Sequence, residues 1–294
     1  MHGIAARSRR VFARLLAVAA IVLVGAGMRP VWAQTPSPLQ EWQYAGGIIL
    51  AQLFEPHPPR WRTVLGVSAQ VAPLYDGSKP YRVEGGPVID LRYYNTAFVS
   101  VGEGLGVNVL HGDHYRFGVS IGYDLGRRES DYTSHLHGLG NIDPAPAVKI
   151  FGEVVIAKIF PLVLRVDARR IIGGADGAVA DVSAYLPLPG SSKRFVMFAG
   201  PSITFADGHY QQKVYGVNAA QSLASGYPEF FPHTGMSAEG VGFSATWFVT
   251  RHVLLNVNAA LDRLRGGAAA SPITQKTTQR LLNFSVAYSW GEVF

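Results

Sequence analysis

Large apolar side chains alternate with small or polar ones, position by position, along most of this chain. Only an extended strand sends successive side chains to opposite faces, so a period of two requires a sheet with different surroundings on each side. The last segment has Leu282, Phe284, Val286, Tyr288 and Trp290 on one face and Asn283, Ser285, Ala287 and Ser289 on the other. Tyr115, Phe117, Val119, Ile121 and Tyr123 likewise oppose Arg116, Gly118, Ser120, Gly122 and Asp124. The pattern recurs around Val253–Leu261, Leu162–Arg169 and Leu65–Val71, and no long segment carries a helical period.

The large residues are the regular ones, and glycine, serine and charge oppose them. A soluble sandwich or barrel would turn a polar face outward. Here the small face suits a crowded barrel interior and the large face suits hydrocarbon. Composition agrees: 48% of residues are hydrophobic and 16% are charged, against about a quarter charged in soluble domains. The long apolar run, Leu15–Met28, falls short of the roughly 18 residues a membrane-crossing helix needs.

That run reads as the core of a cleaved signal peptide spanning residues 1–33. Arg7, Arg9, Arg10 and Arg14 precede it, and Val31 and Ala33 supply small residues for cleavage after Ala33. Gly25, Gly27 and Pro30 argue against a retained helical anchor. The arginine pair is ordinary export charge, since a twin-arginine route carries folded cargo and a barrel must travel unfolded. Without residues 1–33 the chain has 21 basic and 20 acidic side chains. The net of +1 removes the charge argument for a nucleic-acid partner. The absence of cysteine is compatible with export without requiring it.

Residues 34–294 therefore predict an all-β, transmembrane, antiparallel up-and-down β-barrel of about twelve strands in a Gram-negative outer membrane. The strands fall near 42–53, 61–72, 82–94, 97–109, 114–124, 145–158, 161–171, 178–187, 194–206, 236–249, 252–263 and 280–291. Barrels of this class have short periplasmic turns and longer outer loops. Pro73–Tyr81, Leu110–Asp113, the neighbourhood of Phe160, Leu188–Lys193 and Thr250–Arg251 are expected on the periplasmic side. Leu125–Pro144, Asp207–Gly235 and Leu264–Gln279 are expected outside, with Asn95-Thr96 an oddly short outer connection. Tyr93, Tyr94, Tyr115, Tyr123, Tyr288 and Trp290 near strand ends suit aromatic girdles. Phe294, behind an alternating last strand, is the expected signal to the barrel-assembly machinery, although Glu292 interrupts the alternation.

Several segments resemble the family of the MltA-interacting protein and OmpV. They are Pro73-Leu74-Tyr75-Asp76-Gly77-Ser78; Gly126-Arg127-Arg128 with Gly138-Leu139-Gly140-Asn141-Ile142-Asp143; Tyr215-Gly216-Val217 with Ala220-Gln221 and Ser225-Gly226-Tyr227-Pro228; and Arg263-Leu264 with Ala270-Ser271-Pro272-Ile273. Asn141, Val214 and Glu292 depart from the family pattern. The resemblance implies an outer-membrane scaffold joining a periplasmic lytic transglycosylase to a murein synthase. It carries no catalytic residue and no cofactor. The plain explanation of these motifs is turn chemistry. The candidate partner-contact turn is Tyr75, Asp76, Gly77 and Ser78, on the expected periplasmic side.

Other chemistries are weaker. No His-x-Ser pair suits an outer-membrane phospholipase. Asp131, His135, His137 and Asp143 gather in one loop, but solvated loop residues are the simpler reading than a metal or protease site. Gly102, Gly104 and Gly106 read as small residues on one strand face. Glu103 is costly against lipid and is expected inward or at an interface. Inward Arg116, Asp124, Arg165, Asp167 and Arg169 predict a lumen lined by ion pairs. Such a lumen either plugs the barrel or makes it a narrow channel for small solutes, which is the alternative function to a scaffold.

Overall fold

The computed structural model describes residues 59–156, 162–192 and 194–290. The signal segment, the expected strand 42–53, the Phe160 turn, Glu292 and Phe294 lie outside them. The described chain forms a closed barrel in which each strand pairs antiparallel with its sequence neighbours. The strands are β1 (Trp61–Pro73), β2 (Tyr81–Tyr93), β3 (Ala97–Ser100), β4 (Gly104–Gly112), β5 (Tyr115–Asp124) and β6 (Ala145–Ile156). They continue with β7 (Leu162–Ile171), β8 (Ala178–Pro187), β9 (Phe195–Ala206), β10 (Gly235–Phe248), β11 (Val253–Leu264) and β12 (Thr278–Trp290). β1 closes the barrel on β12, with Thr63 opposite Trp290 and Val71 opposite Leu282.

The alternation sorts as the sequence predicts. Leu105, Tyr115, Phe117, Ile121, Leu282 and Phe284 are exposed on the outside, while Arg116, Ser120, Asn256, Asn258, Asn283 and Ser285 are buried inside. Each strand is hydrogen-bonded to a neighbour on either side, the arrangement by which strands cross hydrocarbon. Trp61, Tyr94, Tyr115, Trp247 and Trp290 form an exposed aromatic belt near one end. Tyr288 departs from the girdle expectation: it is buried, stacked on His252 and edge-on to Trp290.

Two expectations are corrected. The segment 97–109 is not one strand but a short hairpin, β3 and β4, turning at Val101–Glu103. Gly104 has φ +85°, and a Cβ there would lie 2.2 Å from the carbonyl oxygen of Ile121. A left-handed glycine at a close backbone approach is a turn signal, not a small residue on a strand face. The count stays at twelve because this hairpin supplies the strand expected at 42–53. The direction of every strand before it is reversed. Pro73–Tyr81 therefore lies at the same end as the long loops 125–144, 207–234 and 265–277, and Asn95-Thr96 lies at the short-turn end.

Candidate functional site

An ion-pair ladder runs along the inner wall from β2 to β8. Asp90 and Arg92 sit two apart on the inward face of β2 and bond each other at 2.8 Å. Arg92 also holds Glu103, whose other oxygen accepts from Arg116 at 2.9 Å. Arg116 then grips Glu153 with two nitrogens, at 2.5 and 2.9 Å, and Arg165 reaches the same carboxylate at 2.7 Å. The chain continues through Asp167, 3.4 Å from Arg165 and 3.3 Å from Arg169, to Asp181, 2.6 Å from Arg169 and 2.5 Å from Thr204. Each internal carboxylate is shared by two guanidinium groups. Such sharing offsets the several kcal/mol lost by removing each ion from water.

Arg116, Arg165, Asp167 and Arg169 were legible as inward charges, and Glu103 faces inward as required. Asp90, Arg92, Glu153 and Asp181 were missed, although their even or odd positions in β2, β6 and β8 already put them on the inner face. Asp124 is inward but stands at the top of β5, where it accepts from the Gly126 backbone at 2.8 Å.

Apolar layers fill the lumen beside the ladder. Val64, Val88, Phe248, Leu254 and Ala287 pack together near the short-turn end, and Val163, Tyr185, Phe198 and Leu281 belong to a second cluster. β1 and β10–β12 contribute hydroxyl and amide side chains, such as Asn256 bonded to Thr246 at 2.9 Å. The interior is a packed core with two differently polar walls.

The long loops form a cap at the other end. It contains the helices α1 (Thr133–Leu136), α2 (Gly208–Tyr215), α3 (Ala219–Ser225) and α4 (Gly266–Ala270). Asp207 caps α2 by accepting from the Tyr210 backbone, and Asn218 with Gln221 makes a reciprocal capping box on α3. The cap has its own small core of Tyr75, Leu136, Leu139, Val217 and Ile273. Tyr75 donates to the Ile273 carbonyl at 3.0 Å and stacks on His135. Arg127 donates to the Val214 carbonyl at 2.9 Å, Gln221 to the Leu139 carbonyl at 2.6 Å, and Ser271 to the Tyr215 carbonyl at 2.5 Å. Nearly every segment carrying the family resemblance meets the others here.

This geometry places the candidate partner-contact turn inside the cap. Tyr75, Gly77 and Ser78 are buried, and the Gly77 carbonyl accepts from Gln275 at 2.8 Å and Lys276 at 3.0 Å. Gly77 has φ +101° and leaves no room for a Cβ beside Thr274. The turn latches the cap onto β1 and β2. His135 is turned into the ring cluster with Tyr132 and Tyr227, where burial holds its pKa below the ordinary imidazole value. His137 faces Glu129 at 3.0 Å. Among the described residues no group of three metal-ligating side chains converges.

Asp76 lies beside a cavity of about 30 Å³ with Asp124 and Arg127. Burial, reinforced by the Asp124 carboxylate and opposed by Arg127, pushes its pKa up to about 6 from 3.8. Between these two values the folded chain holds a proton that the unfolded chain has lost. Stability therefore falls as pH rises through about 4 to 6. Asp76→Asn should remove that dependence and stabilise the cap at pH 7.5 by about 1–2 kcal/mol, relative to the parent chain. Hydrogen exchange of residues 74–80 at pH 5 and 7.5, corrected for intrinsic rates, checks this. Equal pH dependence in both chains would refute it.

A closed antiparallel barrel with an apolar exterior, aromatic belt and polar, packed lumen is an outer-membrane β-barrel protein. A family model described as MltA-interacting protein MipA matches residues 65–290, and the chain belongs to that family. No curated protein sequence matches it. Among solved structures it is similar to the NanC porin, at 7% identity over 78% of this chain and 98% of that one, with a TM-score of 0.38. It is also similar to OmpT of Vibrio cholerae (7% identity, 78% and 97% covered, TM-score 0.35). The channel DcaP of Acinetobacter baumannii gives 8% identity, 78% and 96% covered, and a TM-score of 0.34. These likenesses are too distant to carry a function.

Proposed function

We propose that this protein is a non-enzymatic scaffold of the outer membrane that docks murein-processing enzymes at its short-turn end. The observation that carries this reading is the burial of the inward side chains of the ladder and apolar clusters beneath the loop cap. The family's description, an interaction with MltA, supports a lytic transglycosylase as one partner. The murein synthase expected from the family resemblance would be a second. Exported by its signal segment and inserted by the barrel-assembly machinery, the barrel turns 94–96, 113–114, 188–194 and 249–252 toward the periplasm. The 188–194 turn is the longest of these and is the proposed docking segment, in place of 73–81.

The purified barrel in a planar bilayer should carry no stable open current. A steady conductance would favour the narrow channel instead. Immobilised barrel should capture a periplasmic lytic transglycosylase, and replacing 188–194 by an Asn-Gly hairpin should reduce capture at least about tenfold, the loss of roughly 1.4 kcal/mol. Unchanged capture would exclude that turn.

A further inference from the structure

The barrel wall has a window. β3 covers only Asp90–Tyr93 of β2, and β4 begins opposite Ile121 of β5. Among the described residues, 81–89 of β2 and 122–124 of β5 therefore extend beyond the hairpin with no strand between them. At the level of the hairpin β2 and β5 stand three strand spacings apart, roughly 14 Å. The Val101–Glu103 turn forms the sill, tied inward by Glu103 to Arg92 and Arg116. Arg82 of β2 approaches Asp131 of the 125–144 loop at 3.8 Å and forms the lintel.

The backbone of β2 is adapted to this edge. The Ile89 carbonyl accepts from Val101 N at 3.1 Å, so the backbone groups of Ile89 face β3. By the alternation of antiparallel strands those of Val83, Gly85 and Pro87 face the gap. Proline there has no N–H to leave unpaired, and exposed strand edges are where proline is tolerated. Among the described residues no strand pairs with Val83 and Gly85 on this side, and hydrocarbon alone would not satisfy their backbone groups. The gap must therefore admit something polar as well as apolar.

Its lining has both characters. Val83, Val101, Ile121 and Tyr123 are exposed on the outer rim. A cavity of about 40 Å³ runs past Val101 and Tyr123 to the inward-facing Ser120, Asp124 and Lys149. The Ser120 hydroxyl is buried there without a hydrogen-bond partner. A Cβ added at Gly122 would meet nothing within 4 Å. An unpartnered hydroxyl beside open space, reached from the lipid face through apolar side chains, suits an amphiphile.

We infer that this window is a lateral portal for a bilayer lipid. One acyl chain lies across the Val101–Tyr123 rim, and the polar head enters toward Ser120 and Lys149. The inference is independent of the scaffold reading, which concerns the opposite end of the barrel.

The full chain is reconstituted in phosphatidylglycerol vesicles containing a lipid with a diazirine near the ester end of one acyl chain. After illumination, labelled residues are mapped by mass spectrometry. In a sealed barrel only outward positions are labelled. The portal predicts label on inward Ser120 and Gly122 at least about tenfold above inward Ser244 and Asn256 of the far wall, a contrast that strand alternation forbids otherwise. Gly122→Phe should abolish label at Ser120 and leave Ile121 labelled. Equal labelling of Ser120 and Ser244 in the parent chain overturns the proposal whether or not the variant folds. So does undiminished Ser120 label in a folded Gly122→Phe barrel.

Discussion

Glu153→Gln should destabilise the barrel by about 3–5 kcal/mol, the cost of leaving buried charges without their counter-ion. Glu153 is 1% exposed and is the carboxylate that joins Arg116 to Arg165. An amide of the same shape leaves two guanidinium groups facing each other across a neutral side chain. The stretch from Asp90 to Glu103 is then cut from the stretch that runs on to Asp181, so both halves lose a shared ion. The unfolding midpoint in urea, followed in detergent by the loss of heat-modifiable migration, measures the effect. Glu239→Gln is the internal comparison. Its pair with Arg265 is more than a third exposed on both sides, and exposed pairs contribute about 0–1 kcal/mol. Similar losses from the two substitutions would mean that the ladder is solvated.

Gly66→Val should prevent closure of the barrel. Gly66 faces inward on β1, opposite Ala287 across the seam with β12. A Cβ at Gly66 would lie 2.2 Å from the Val286 carbonyl oxygen and 2.6 Å from the Ala287 Cβ. Both obstacles belong to the neighbouring strand, so relief requires parting the pair that closes the sheet. Overpacking in ordinary cores costs about 1–3 kcal/mol, but here it also opens backbone groups to hydrocarbon, at several kcal/mol each. The expected result is loss of the folded, heat-modifiable band. Gly122→Ala, with open space around it, should fold as the parent does. A folded Gly66→Val barrel of parent stability would show that the seam lies farther apart than this register requires.

The two substitutions mark the limits of what local pattern reveals. The inward direction of Arg116, Arg165, Asp167 and Arg169 was legible because position along a strand alone decides which face a side chain takes. Their partners were not. Glu153 meets Arg165 only because β6 and β7 pair in that register, and register is a relation between strands. The family-like segments were legible as turns. Their convergence on Tyr75 was not, since Tyr75 and Ile273 are 198 residues apart.

The amino-acid sequence by itself determined the class of fold and the membrane-facing surface. Those follow from period-two alternation, which is a property of consecutive residues. Tertiary structure alone decided that 97–109 folds back on itself, that 73–81 belongs to the capped end, and that a gap stands beside β2. Four residues pairing with β2 and nine pairing with it look alike in local hydrophobicity. Only the hydrogen bonds to a neighbouring strand decide where a hairpin stops, and that choice reversed the direction of each strand before it.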